Sequence, residues 1–139
     1  WIGDLSINYQ SADTPTVQPW FTVVDDGKSD FTRAKDQTTD PAISTWYHMV
    51  GTFDGTDTAI YINGSLITTV PQSSGVMGDL ATTATVFRLG QLESVSGTAL
   101  DGQMMGVGIW DVVLTADEAS SLYGGGTSGD GYYDDYTWI

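Results

Sequence analysis

Two dipeptides, Asp54-Gly55 and Asn63-Gly64, do most to restrict what this chain can fold into. Each joins a residue that tolerates positive φ to a glycine that adopts it freely. Each also sits between apolar runs, which is the strongest short-range signal of a two-residue hairpin. Trp46-Tyr47-His48-Met49-Val50-Gly51-Thr52-Phe53 leads into the first turn, Ala59-Ile60-Tyr61-Ile62 lies between them, and Ser65-Leu66-Ile67-Thr68-Thr69-Val70 follows the second. Three strands joined this way form an antiparallel meander. Its register is pinned, because a slip of one residue would turn every side chain to the wrong face. In this reading Trp46, His48 and Val50 share one face, and Trp46, Phe53, Tyr61, Phe87 and Trp110 are mostly core.

Alternation continues on both sides of the meander. Leu5, Ile7 and Tyr9 mark an N-terminal strand. Trp20-Phe21-Thr22-Val23-Val24 is a second, closed by Asp25-Asp26-Gly27, and Phe31-Thr32-Arg33 is a short return. Residues 71–80 read as a polar loop, 85–90 as a strand, 91–99 as a loop and 103–110 as a long strand. Gly106 and Gly108 inside that last run mark a bulge or the close approach of another group. One helix is expected over 115–123. Thr115-Ala116-Asp117-Glu118 has the form of a capping box, Leu114 stands as its staple, and Gly124-Gly125-Gly126 stops it. The tail, residues 130–139, is aromatic and acidic and reads as a terminal strand that docks. Many short strands with a single helix imply an all-β fold: a two-sheet antiparallel jelly-roll sandwich in a single domain spanning 1–139.

Composition removes several function classes. With 139 residues the chain is long enough to bury a core without staples. It has no cysteine, hence no disulfide, thiolate metal site or cysteine nucleophile, and a single histidine makes a zinc site untenable. Four Lys and Arg against 18 Asp and Glu give a net charge of −14. That balance denies the basic footprint a nucleic-acid binder or an anionic-membrane binder needs. No apolar run approaches the roughly 18 residues that span a bilayer, so membrane insertion is not expected. The acid is nearly all Asp, with only Glu93 and Glu118 as exceptions, which places the charge on turns and strand ends.

Four segments, in order, resemble the laminin-G-like branch of the concanavalin A-like jelly rolls. Residues 46–55 followed by Ile60-Tyr61-Ile62-Asn63-Gly64 are similar to that family's W-x-H … D-G … Y-(V/I)-(N/D)-G signature. Phe87-Arg88-Leu89-Gly90 is similar to its strand ending in I-G, residues 100–110 to its F-x-G-x-I-D-x-V-x-I-Y strand, and residues 114–123 to its L-(S/T)-x-x-E-I-x-x-L-Y helix. The likeness covers roughly 45–124. It implies two facing sheets, one flat and one curved, in modules that mostly bind glycans or proteins on a rim or concave face. Two departures stand out. The strands before Trp46 look too few, so an N-terminally short sandwich is expected, and a chain that begins at Trp1 rather than Met fits that expectation. The family's acidic pair in I-D-x-V is replaced by Met105-Gly106, so a cation held there in relatives does not carry over.

Site candidates follow from chemistry. Retaining glucanases of this fold carry an E-x-D-x-E strand that sets two carboxylates about 5–5.5 Å apart; this chain has none, so no enzymatic activity is expected. His48 reads as a packed strand residue. Calcium, which takes six to eight oxygens, is the one metal the composition suits. Its candidates are Asp25, Asp26 and Asp79, with Asp54, Asp57 and Asp101 also in expected loops, of which Asp54 and Asp101 are explained by turns. Planar rings beside carboxylates suit sugar stacking, which selects Trp20, Tyr132, Tyr133, Tyr136 and Trp138 as ligand-binding candidates, against the alternative that the tail completes a sheet. Asn63-Gly64-Ser65 is formally a glycosylation sequon that the hairpin explains better. The leading expectation is a non-catalytic binding or adhesion module, extracellular or on a virion or cell surface, engaging glycan or protein through rim loops. The alternative is a structural assembly subunit. Sheet edges left open by a short N-terminus would need other protein chains or a missing N-terminal segment to cover them.

Overall fold

In the computed structural model the described residues are 3–9, 17–24, 31–36, 41–42, 44–71, 89, 100 and 102–124. They form six strands and one helix: β1 (Gly3–Tyr9), β2 (Val17–Val24), β3 (Phe31–Lys35), β4 (Met49–Phe53), β5 (Asp57–Ile62), β6 (Ser65–Pro71) and α1 (Ala116–Tyr123). Two antiparallel sheets result, ordered β1-β2-β3 and β4-β5-β6. All six strands coincide with segments read as strands from the sequence, with bounds differing by a few residues.

Pairing decides which side chains face inward. In the second sheet Met49 lies opposite Ile62, Gly51 opposite Ile60 and Phe53 opposite Thr58, so these residues share one face. In the first sheet Phe21 lies opposite Ala34 and Val23 opposite Thr32. These two faces meet. Val23 packs with Phe53 and Phe21, and Ala34 packs with Ile60 and Ile62, flanked by Tyr47, Met49, Ile67 and Val70. The Thr32 hydroxyl donates to the Val70 carbonyl at 3.5 Å across the gap between the sheets. Fully burying an Ile or Val side chain contributes roughly 1.5–3 kcal/mol, so Ile60 and Val23, both wholly enclosed, carry much of the cohesion.

The outer face of the second sheet is covered as well. Val50 and Tyr61, paired in register, join Ala59 beneath Leu114, Ala119 and Leu122. Strand β5 is therefore enclosed on both sides and reads as nearly continuous burial rather than alternation. The helix above it is capped as its sequence dictates. The Glu118 amide donates to the Thr115 hydroxyl at 3.3 Å, and the Thr115 amide donates to the Glu118 carboxylate at 2.7 Å. Gly124, with φ 70°, ends the helix. The register of β5 against β6 shifts between Ile60 and Tyr61, so that Ile60 faces Thr68 and Tyr61 faces Leu66. This bulge adds local twist.

Three expectations are corrected. Residues 103–110 form no strand: Gly106 takes φ 63°, which breaks the extended path, and the Trp110 indole folds back over Gly108, where an added Cβ would stand 2.6 Å from the ring. Trp110 consequently is not core but 43% exposed. Trp46 is not core either, at 58% exposed, because β4 begins only at Met49 and Trp46, His48 and Val50 do not lie along one strand face. Phe87, most of the expected 85–90 strand, the 72–80 loop and the 130–139 tail lie outside the described residues.

The sheets approach closely at Gly51, where an added Cβ would stand 2.3 Å from the Phe21 ring. Gly51→Ala must displace that ring or separate the sheets, so we expect a loss of about 1–3 kcal/mol, the scale of an overpacked core. A lowered urea midpoint with an unchanged m-value would report it; a midpoint equal to that of the parent chain would refute the packing described.

Candidate binding groove

The segment before β4 is fixed by its neighbours. The Tyr47 hydroxyl accepts from the Ala42 amide at 3.0 Å, and the Tyr47 ring packs beside Ile60 and Ile62. The His48 amide donates to the Asn63 side-chain oxygen at 3.0 Å, while the Asn63 amide donates to the His48 carbonyl at 2.9 Å. Asn63 and Gly64 take φ 49° and 74°, the double left-handed turn expected of Asn-Gly. Gly64 lies against α1, where an added Cβ would stand 3.2 Å from both Ser120 and Tyr123, and the His48 and Tyr123 rings lie 5.9 Å apart. With Tyr47 turned inward and His48 held by the turn, Trp46 points outward.

There it borders an open groove of about 580 Å³ lined by Trp46, Gln103, Met104, Met105 and Gly106. The indole offers an apolar face, Gln103 an amide able to donate and accept, and the thioethers an adaptable apolar wall. None of the described lining residues is ionisable.

Sequence reasoning missed Trp46 as a site residue because it extended the alternation of β4 back to position 46. The signal that could have found it is Asn63, whose side chain was available to cap the strand entry at His48. Of the ligand candidates named from sequence, Trp20 is described. It is half-buried on β2, with the Arg33 guanidinium 4.4 Å from its ring centroid and the Arg33 Nε donating to the Thr22 hydroxyl at 2.8 Å. One ring face of Trp20 is thus occupied by a cation. Tyr132, Tyr133, Tyr136 and Trp138, and the metal candidates Asp25, Asp26 and Asp79, lie outside the described residues, as do Asp101 and Glu93. Asp54 serves its turn: its carboxylate accepts from the amides of Thr56 at 2.8 Å and Asp57 at 2.6 Å. Among the described residues, no three His, Asp or Glu side chains are grouped as metal ligands. Also among them, no helix is long and apolar enough to cross a membrane.

Comparison with known proteins gives two findings. The sequence matches the family model described as concanavalin A-like lectin/glucanases superfamily over residues 3–120. The fold is similar to the crystal structure of an S-layer domain-containing protein (residues 221–444) from Clostridium thermocellum, with 16% identity and a TM-score of 0.51. That likeness covers 85% of this chain and 61% of the solved one, so the chain spans less than two thirds of its length. No curated protein matches the sequence.

Titration near the groove carries a testable consequence. Burial holds the His48 imidazole below its ordinary value, so the fold favours the neutral ring. The unfolded chain takes up the proton first as pH falls below about 6.5, and the stability tied to His48, complete above that point, is lost as pH descends to the folded value. Hydrogen bonds from the Asp57 and Thr56 amides hold Asp54 below the usual carboxylate range, and bonds from Thr115 do the same for Glu118. Their contributions are lost only below about pH 4. Urea midpoints should therefore fall in two stages on acidification, and His48→Gln should flatten the first. An unaltered first stage in the variant would show that His48 is not its source.

Proposed function

Because the chain belongs to the concanavalin A-like lectin/glucanases superfamily, we propose that it is a non-catalytic binding module displayed outside a cell or on a virion, holding a glycan or protein ligand at an exposed rim. The fold hosts binders and hydrolases alike, so the site must decide. The observation that carries the reading is Trp46, a large aromatic ring more than half exposed at the mouth of a groove whose described lining holds no ionisable group. A ring in that setting stacks on the apolar face of a sugar, and the Gln103 amide is placed to meet hydroxyls. The sequence carries no E-x-D-x-E strand, so the paired carboxylates of a retaining glycosidase are not part of the proposal. A surface location is supported by the S-layer domain named for the solved neighbour, and the net charge of −14 keeps such a module soluble and apart from its copies.

A second reading, a structural subunit of a virion or surface layer, is favoured by a different observation. Met104, Met105, Val107, Ile109, Trp110, Val112 and Val113 are all exposed. Isolated exposed apolar residues need no explanation, but a contiguous run marks a contact surface.

A glycan array tests the leading reading. The parent chain should bind a defined set of sugars, and Trp46→Ala should weaken binding by about tenfold, the loss of about 1.4 kcal/mol of ring contact. Silence on the array would end the glycan form of the proposal. Calcium, the one cation we propose, is tested separately by thermal melting with EDTA and with excess Ca²⁺. A bound ion raises the midpoint by linkage, and coincident midpoints would exclude a site of useful affinity.

A further inference from the structure

Sulfur occurs in this chain only as thioether: there are four methionines and no cysteine. A two-electron oxidant that reaches the protein therefore meets no thiol, and an exposed methionine is the first sulfur it can attack. The fold sets its described methionines apart. Met49, on β4, packs beside the core formed by Ala34, Ile60 and Ile62. Met104 and Met105 are 48% and 53% exposed. In an extended strand two successive side chains point to opposite faces, yet Met104 and Met105 both line the groove of Trp46. The segment is not a strand there, and the left-handed Gly106 follows at once with φ 63°. Two of the four sulfurs are thus gathered on one open wall, which they share with an exposed indole.

We propose that Met104 and Met105 are a reversible oxidation site that weakens the groove's hold on its ligand. The oxidant is a hydroperoxide. A thioether lone pair attacks the terminal peroxide oxygen and the O–O bond breaks. The sulfur keeps that oxygen as a sulfoxide, and its proton passes to the departing oxygen, which leaves as an alcohol, or as water where the oxidant is hydrogen peroxide. The sulfur is oxidised by two electrons and the peroxide is reduced by two. The wall changes in kind. Thioether sulfur is a soft, weak acceptor, whereas the oxygen of a sulfoxide is a polar acceptor that holds water. A ligand whose apolar face lies on this wall strips that water without returning a donor, which costs free energy. Methionine sulfoxide reductase returns the thioether. This adds a control to the groove of the binding-module reading, and it rests on that reading for the ligand though not for the chemistry.

The test treats the full 139-residue chain with hydrogen peroxide and maps it by peptide mass spectrometry. Met104 and Met105 should each gain one oxygen before Met49 does. Tryptophan emission should change with that gain, and Trp46→Phe should remove the change, because Trp46 is the indole of that wall. On the glycan array the treated chain should bind at least about tenfold more weakly, and methionine sulfoxide reductase should restore both readings. In the double variant Met104→Leu, Met105→Leu, peroxide should leave emission and binding at that variant's own untreated level. Oxidation of Met49 in step with the groove pair, an unchanged emission in the parent chain, or an equal response in the double variant would overturn the proposal. Array binding that ignores oxidation at both methionines would also overturn it and leave the binding module standing. If the untreated chain is silent on the array, the glycan reading fails, and the emission change alone decides the oxidation site.

Discussion

The Asn63-Gly64 turn is the constraint on which the rest of this structure depends. It reverses the chain between β5 and β6 using the positive φ of both residues. It closes a two-way hydrogen-bond exchange with His48 that fixes where β4 begins. Its glycine, bare of a side chain, lets α1 come within van der Waals reach. One dipeptide thereby sets the register of the second sheet, the entry to that sheet and the seat of the helix. Any other residue at position 64 would carry a backbone strain and a side chain pressed against Ser120 and Tyr123 together. The exposure of Trp46 follows from the same turn, since a strand entry held at His48 leaves the preceding indole outside.

Strand β5 shows why two sheets alone do not describe the core. Its inner face, through Ile60 and Ile62, meets Ala34 of the first sheet. Its outer face, through Ala59 and Tyr61, meets Ala119 and Leu114. A strand covered on both faces loses the alternation of a half-buried one, and β5 has only Asp57, at its start, in partial contact with water. The helix is thus an integral layer over the sheet. The first sheet has a different outer face, on which Arg33, one of four cationic side chains in the chain, sits over Trp20.

The parts of this fold that were legible in the sequence are those encoded locally. Asn63-Gly64 turns the chain with both residues at positive φ, whereas at Asp54-Gly55 the glycine alone takes positive φ and the turn closes from Asp54 to Asp57; the capping box around Thr115 closes within a single turn. Apolar runs set between turn signals found β1 to β6. The failures lie where local pattern and tertiary pairing part. Residues 103–110 alternate convincingly, yet a strand exists only when its main chain is paired, and periodicity contains no information about partners. Trp46 fits the alternation of β4, but a hydrogen bond that the His48 amide donates to Asn63, fifteen positions later in the chain, decides that the strand starts beyond it. Tyr132, Tyr133, Tyr136, Trp138, Asp25, Asp26 and Asp79 were chosen by residue chemistry alone, and they remain proposals of that kind.

The covering of the second sheet's outer face is unequal to that of the inner one. Among the described residues, a whole sheet stands on the inside, and on the outside stand two helical turns, whose own caps close within the helix and which touch the strands through Leu114, Ala119 and Leu122. Such a cover can lift as a unit while the sandwich behind it stays shut. Local opening would then bare the Val50, Ala59 and Tyr61 side chains while Ile60 and Ile62 stay enclosed. A protease that samples this motion would find the join at Val112 and Val113 well before it reached the inner sheet.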